Sequence, residues 1–334
     1  MSEINRVKTA VVGVGHLGRH HLKWLNSLEQ SELVGFYDID RGKAEKYARE
    51  YQVTAFESLA ELADKARAVS VVVPTTDHFE VASYLIERGV HCLIEKPLAA
   101  SIDQALKLKQ LVHDHGVTVT VGHIERFNPA VRALSEYHIK PSFIEAHRLA
   151  AFDPRGTDVA VVLDLMIHDI DLCLMFFKSN VIQIQASAVP VVSEQTDIAN
   201  TRLTFENGAV ANLTASRISL KEMRKLRIFQ KSGYCSLDLA KKQADIYLLD
   251  DNHRVAEGMR IPLGKSGRDI VYQKKVDSGD DMLKLELESF LEAVTNGQPT
   301  AVPIEQGVEA LRVALEVEQI GQKSLARMVD TESD

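Results

Sequence analysis

The sequence is short of cysteine, of excess positive charge and of long apolar runs. Its three cysteines, Cys92, Cys173 and Cys235, lie far apart and form no CxxC pair. That spacing excludes a disulfide framework and a zinc-binding cysteine set, and fits a reducing cytoplasm. Lys and Arg number 39 against 47 Asp and Glu, a formal net charge of -8. Such a balance argues against non-specific binding to nucleic acid or to an anionic membrane, though a local basic pocket could still hold an anionic ligand. No apolar run is long enough to cross a bilayer, and the opening MSEINRVK has no signal-like apolar core. Internal repeats and low-complexity tracts are also missing.

What is present is an ordinary globular composition, 45% hydrophobic and 26% charged over 334 residues, enough for two domains. The stretch from Thr9 to Gly18 organises the first of them. It reads as a buried strand, Val7–Val12, a glycine turn, and a helix from about His16 to Glu29. Gly13, Gly15 and Gly18 have the G-x-G-x-x-G spacing. The first glycine permits the tight turn, the second a close approach to a pyrophosphate, and the third close helix–strand packing. The N–H groups at the helix start, around His16 and Leu17, would receive that pyrophosphate. A second apolar run, Leu33–Tyr37, ends in Asp38, the expected acceptor of ribose hydroxyls and hence a pointer to NAD. Arg41 lies near enough in sequence to meet a 2′-phosphate, so NADP stays open.

Further Val- and Ile-rich strands are expected at Val53–Phe56, Ala68–Val73, Val90–Ile94 and Thr118–Val121, with helices between. Ser101 and Gln104 read as a capping box, and Gly116 as the close of that helix. Alternation of this kind predicts an α/β domain over 1–122, a Rossmann doubly wound parallel sheet. Residues 123–330 read as an α+β domain with a large, mostly antiparallel sheet. Asn128-Pro129 opens a helix, a longer helix covers about Val162–Phe177, and Asn207-Gly208 marks a hairpin. Residues 250–281 read as a loop with one edge strand, Met282–Asn296 and Ile304–Met328 as closing helices, and 331–334 as a disordered tail. With helices on one sheet face, the other needs cover, which a second copy of the chain would supply as a homodimer or homotetramer.

Three stretches fall where ligands bind in open α/β sheets, beyond the carboxyl ends of the strands: Pro74–His78, Glu95-Lys96-Pro97, and Gly122–Asn128. Lys96 could hydrogen-bond a reacting hydroxyl and favour its alkoxide, and a surface ion pair at a strand end is the plainer alternative. Asp164, His168 and Asp171 stand at i, i+4, i+7 in an otherwise apolar helix. A polar stripe on one buried face is costly without a purpose, and a histidine oriented by a carboxylate is a competent base. A satisfied core His–Asp pair is the alternative. A metal set is a weaker one, since hydride transfer to nicotinamide needs no metal. His20 and His21 read as solvent or packing residues. The basic run Lys221, Arg224, Lys225, Arg227, Lys231 reads as a solvated strand face or a phosphate contact.

Together these stretches resemble the Gfo/Idh/MocA oxidoreductases over nearly the whole chain. The resemblance implies that Lys96 is the catalytic lysine and His168 the acid/base, with Asp164 supporting it or touching the sugar. It also implies that Thr75, His78 and Glu95 lie against the cofactor. Met166 departs from the glycine usual in the family. Gly122–Ala130, Arg155–Asp158 and Leu165–Asp171 further resemble the subgroup of UDP-N-acetylglucosamine 3-dehydrogenases. Substrate contacts are then expected at Arg126, Arg155 and Asp171, and Arg148, Arg155 and the basic strand could meet a diphosphate. The expected activity is hydride transfer between a sugar or nucleotide-sugar hydroxyl and NAD(P). A free aldose or cyclic polyol is the alternative substrate, and a non-catalytic NAD sensor the alternative class.

Overall fold

The structure, a computed structural model, describes residues 6–153, 159–250, 257–264, 268–276 and 279–332. Two compact units emerge, Met1–Ile124 with Asp281–Leu311, and Glu125–Asp280 with Arg312–Asp334.

The first unit carries strands β1 (Val7–Val12), β2 (Ser31–Tyr37), β3 (Thr54–Ala55), β4 (Ala68–Val71), β5 (His91–Glu95) and β6 (Val119–Gly122). All pair in parallel, in the order β3-β2-β1-β4-β5-β6. The order reverses direction between β1 and β4, which opens the crevice of a doubly wound sheet there. Helices α1 (Gly18–Ser27), α2 (Arg41–Tyr51), α3 (Leu59–Lys65), α4 (Thr75–Ile86) and α5 (Ile102–His115) connect the strands. β1 and β4 are buried almost throughout, as a sheet covered on both faces requires. Local chemistry sets the helix ends. Ser101 accepts the Gln104 N–H at the start of α5, and Gly116 closes it at φ 63°. The Gln104 side chain reaches back to the Ala100 N–H, one residue earlier than a capping box predicts.

The second unit begins with α6 (Pro129–Arg132), capped by the Asn128 side chain on the Ala130 N–H. Strand β7 (Phe143–Leu149) follows, then α7 (Ile167–Phe177), then β8 (Val181–Val189), β9 (Ile198–Phe205), β10 (Val210–Ser216), β11 (Met223–Gln230), β12 (Gly233–Asp238), β13 (Gln243–Asp250), β14 (Met259–Pro262) and β15 (Asp269–Lys275). They form a nine-stranded sheet in the order β14-β15-β13-β12-β11-β7-β10-β9-β8, antiparallel except at β7–β10. Two strands, not one, thus arise within 250–281. Inward residues such as Ile144, Ala146, Leu213, Leu226 and Ile228 are fully buried on the face that α7 covers.

The chain closes with α8 (Met282–Asn296) and α9 (Ile304–Glu332). Here the structure departs from the expectation of one continuous second domain. Leu287, Phe290, Leu291 and Val294 of α8 pack with Leu22, Leu25 and Leu28 around α1 in the first unit's core. The next segment pairs with β6, where the Val121 N–H donates to the Val302 carbonyl at 3.1 Å and so covers that sheet edge. Helix α9 starts in the first unit and, from Arg312, belongs to the second, where Glu318 accepts the Thr196 hydroxyl. It runs past the expected end at Met328, and residues 333–334 of the expected tail lie outside the described residues.

Candidate active site

In the first unit the glycine turn has the geometry its spacing implies. Gly13 sits at φ 86°, and a Cβ there would lie 2.6 Å from the Val72 carbonyl oxygen. At Gly18 a Cβ would collide with the Gly13 carbonyl oxygen. At Gly15 it would meet no described heavy atom within 4 Å, so the backbone there is open to a ligand. Leu17 occupies the N-cap of α1 without a side-chain cap bond, so no protein side chain there competes with an anion for the first-turn N–H groups. His16 is exposed beside this turn. Asp38 is buried, with Oδ2 accepting the Val14 N–H at 2.7 Å and Oδ1 the Asp40 N–H at 2.8 Å. It therefore ties the glycine turn to the end of β2 and keeps further lone pairs for a ribose. Arg41 is drawn away to Glu57, 2.7 Å from its carboxylate. These residues fit a dinucleotide without a 2′-phosphate.

The ends of the next strands complete this side. Thr75 opens α4 and is half-buried. His78 is buried, with Nδ1 2.8 Å from the Pro97 carbonyl and Nε2 3.0 Å from the Val73 carbonyl. Burial pushes its ring below the ordinary histidine value, although both carbonyls favour a proton. A neutral ring has one N–H, so one of these nitrogens donates to its carbonyl, and the ring packs against the backbone that follows β4 and β5. Glu95 ends β5, and half-buried Lys96 leaves the strand directly after it through a cis bond to Pro97.

In the second unit the expected polar stripe is reorganised. Asp164 lies in a π turn, Val162–Met166, ahead of α7, so it does not share a regular α-helical face with His168. Both are half-buried. Asp171, by contrast, is wholly buried in a bidentate pair with Arg126, Nε to Oδ2 at 2.8 Å and Nη2 to Oδ1 at 2.5 Å. This removes the two as free substrate contacts, because each spends its charge on the other. Arg148 is also buried. It donates to both oxygens of Asp169, at 3.0 and 2.8 Å, and to Glu125 at 2.8 Å. Against the cost of burial, the two carboxylates hold its guanidinium pKa above the ordinary arginine value. An arginine so enclosed does not meet a diphosphate. Arg155 lies outside the described residues. Met166 is fully buried in the π turn, where it packs as core. Among the described residues no group of three His, Cys, Asp or Glu could hold a metal.

The sequence reading missed His21, which is buried and reaches Glu95. Its signal was available, since Gly18, His21, Leu22 and Leu25 share the inward stripe of α1.

A glycine turn on a 3-2-1-4-5-6 parallel sheet, an acidic residue closing β2 and a lysine closing β5 define a nicotinamide-dependent oxidoreductase. The chain belongs to the Gfo/Idh/MocA family. Residues 7–123 match the oxidoreductase family model with its NAD-binding Rossmann fold, and residues 136–235 match the GFO/IDH/MocA C-terminal domain. The UDP-N-acetylglucosamine 3-dehydrogenase of Acidithiobacillus ferrooxidans is 36% identical over 93% of this chain and 96% of its own. A solved structure of that dehydrogenase superposes with a TM-score of 0.85, covering 94% of this chain and 97% of that one. The NAD-dependent scyllo-inositol 2-dehydrogenase of Bacillus subtilis is 28% identical over 64% of this chain and 68% of its own. The protein is accordingly a dehydrogenase with an NAD-binding Rossmann domain, acting on sugar hydroxyls. No helix among the described residues is long and apolar enough to cross a membrane.

Proposed function

We propose that this dehydrogenase oxidises the 3-hydroxyl of a nucleotide sugar, UDP-N-acetylglucosamine. The observation that carries the reading is near-full-length kinship, at 36% identity, with an enzyme named for that substrate. Gly13, Gly15, His16, Leu17 and Gly18 hold the pyrophosphate, Asp38 the ribose, and Thr75 and Glu95 the nicotinamide side. When bound there, NAD would supply the hydride acceptor. His168, supported by Asp164, takes the proton of the sugar hydroxyl, and Lys96 stabilises the developing alkoxide by a charged hydrogen bond. NAD is preferred over NADP because Asp38 would repel a 2′-phosphate while Arg41 is engaged by Glu57.

We also propose that the enzyme works in the cytoplasm, where its three free, buried cysteines stay reduced. It assembles as a homodimer or homotetramer through the outward face of the second unit's sheet. That face carries an aromatic row across five strands, Phe143, Phe229, Tyr234, Tyr247 and Tyr272, with successive ring centroids 4.9 to 5.5 Å apart. A polar row beside it includes Arg202, Asn212, Glu145 and Arg227. Aromatic cores with polar rims suit protein interfaces.

The test is NADH production with UDP-N-acetylglucosamine, glucose 6-phosphate and myo-inositol supplied separately, for wild type and Lys96→Ala. UDP-N-acetylglucosamine should give the highest kcat/KM. Lys96→Ala should lose roughly a hundred- to a thousandfold in kcat, the scale of a lost stabiliser of a developing oxyanion, with NAD affinity near wild type. A polyol turned over faster than the nucleotide sugar would replace the substrate, and an active Lys96→Ala would remove the lysine's role.

A further inference from the structure

The carboxylate that precedes the lysine is held in place by a residue of the first helix. His21 is 1% exposed, and its Nε2 lies 3.1 Å from Glu95 Oε1. A carboxylate oxygen accepts, so Nε2 carries the proton. The other ring nitrogen, Nδ1, is buried and has no hydrogen-bond partner among the described residues, so the bond to Glu95 is the one they show for this buried polar ring. Glu95 Oε2 accepts the Lys96 N–H at 3.3 Å. Burial acts to raise the Glu95 carboxyl, but the hydrogen bond from His21 and the charges of His21 and Lys96 prevail and hold it below the ordinary range. On the far side lies Gly122, whose missing side chain makes room, since a Cβ there would sit 2.9 Å from Glu95 Oε2. The carboxylate is thus gripped between α1 and β6 at the point where Lys96 leaves the sheet.

We propose that His21 is a positioning residue for the dehydrogenase reaction, fixing the Glu95 carboxylate and through it the departure of Lys96 from β5. The proposal rests on the role of Lys96 given above. His21 sits on the helix that opens at the glycine turn, so the same element receives the pyrophosphate and aims the lysine. The link is a part-buried hydrogen bond to an ionised acceptor, a kind stronger than a neutral pair. Without it the Glu95 side chain is free to turn, and the lysine loses orientation without losing its charge. Misplacement of a catalytic group by a small distance is enough to cost one to two orders of magnitude in rate.

The test compares His21→Ala, His21→Gln, Glu95→Gln, the double variant His21→Ala/Glu95→Gln, and Lys96→Ala. His21→Ala should lower kcat about 10- to 100-fold, with KM for the sugar and NAD affinity within about threefold. His21→Gln, whose amide N–H can stand where Nε2 stood, should recover most of that loss. The double variant should be no slower than the worse single one, because both break the same link. Two readouts need no turnover. In 15N-histidine spectra of the unliganded protein, the His21 Nε2 proton should be visible and should shift in Glu95→Gln. In thermal unfolding, the losses from the two single variants should not add. Wild-type kcat in His21→Ala, with the unfolding coupling intact, would make the pair purely structural and overturn the proposal. So would additive losses in kcat. Lys96→Ala separates the two readings: if it is active, the lysine's role fails, and if it is inactive while His21→Ala is normal, only the present proposal fails.

Discussion

Replacing Arg148 with methionine tests how the second unit holds the helix that carries His168. The arginine has 3% side-chain exposure, and its partners Glu125 and Asp169 have 6% and 3%. Methionine keeps much of the volume but deletes three charge-assisted hydrogen bonds and leaves two carboxylates enclosed together. Removing one partner of a buried ionic cluster costs about 3–5 kcal/mol, most of it from the stranded charge. Burial already raises the Asp169 carboxyl above its ordinary value with Arg148 in place, and it rises further when the cation goes. A carboxyl whose folded pKa is raised contributes stability while protonated, below its unfolded pKa, and loses that contribution as pH climbs through the folded pKa. The deficit of Arg148→Met should therefore be largest at neutral pH and shrink as pH falls toward about 5. Urea unfolding at both pH values, followed by a probe of the second unit, gives the comparison. Adding Glu125→Gln and Asp169→Asn should restore most of the loss, because the stranded charges are then gone. If Arg148→Met is as stable as wild type at neutral pH, or if the triple variant is no better than the single one, the cluster is not the closed ionic unit described above.

Two further outcomes follow from the same structure. Gly18→Ala places a methyl into the Gly13 carbonyl, so it should weaken NAD binding at least about tenfold and lower the unfolding midpoint, as strained core substitutions do; dye-monitored melting with an NAD titration checks both. Tyr234→Asp puts a charge in the middle of the aromatic row, and sedimentation should then show a shift toward the monomer with NAD affinity unchanged. An unaltered assembly would place the interface elsewhere.

The first unit was legible because its signals are local. A glycine spacing, a strand before it and an acidic residue after β2 specify one turn, and the structure needs Gly13 and Gly18 for the reasons their positions imply while leaving open space at Gly15. What was not legible depends on partners far away in the chain. The amphipathic period of α8 says that one face is buried, but not that Leu287 and Phe290 meet Leu22 and Leu25, more than 260 positions earlier. Arg126 and Arg148 read as ligand contacts since a sequence displays charge and hides its partner. Asp171 and Asp169 lie 45 and 21 residues from them and neutralise both. The π turn at Val162–Met166 escaped for another reason, because a run of Val, Leu and Met satisfies a period of 3.6 or 4.4 equally well.

The placing of those arginines has a consequence for the helix between them. Asp169 and Asp171 bracket Ile170 just after His168 on α7, and each is held by a different arginine, one from β7 and one from the turn Ile124–Phe127. Apolar contacts alone would let a helix rich in Leu, Met and Phe settle at several rotations with similar packing, since such contacts lack direction. Two bidentate pairs to arginines on different elements favour one rotation over the rest. Buried ion pairs are weak sources of net stability. Their value here lies in direction: they fix the rotation of α7 and with it the side from which His168 emerges. The same logic operates in the first unit, where His21 and Gly122 leave the Glu95 carboxylate one position before Lys96 departs. In each unit the residue assigned to chemistry is half-buried and stands next in sequence to a carboxylate held by a side chain from another element.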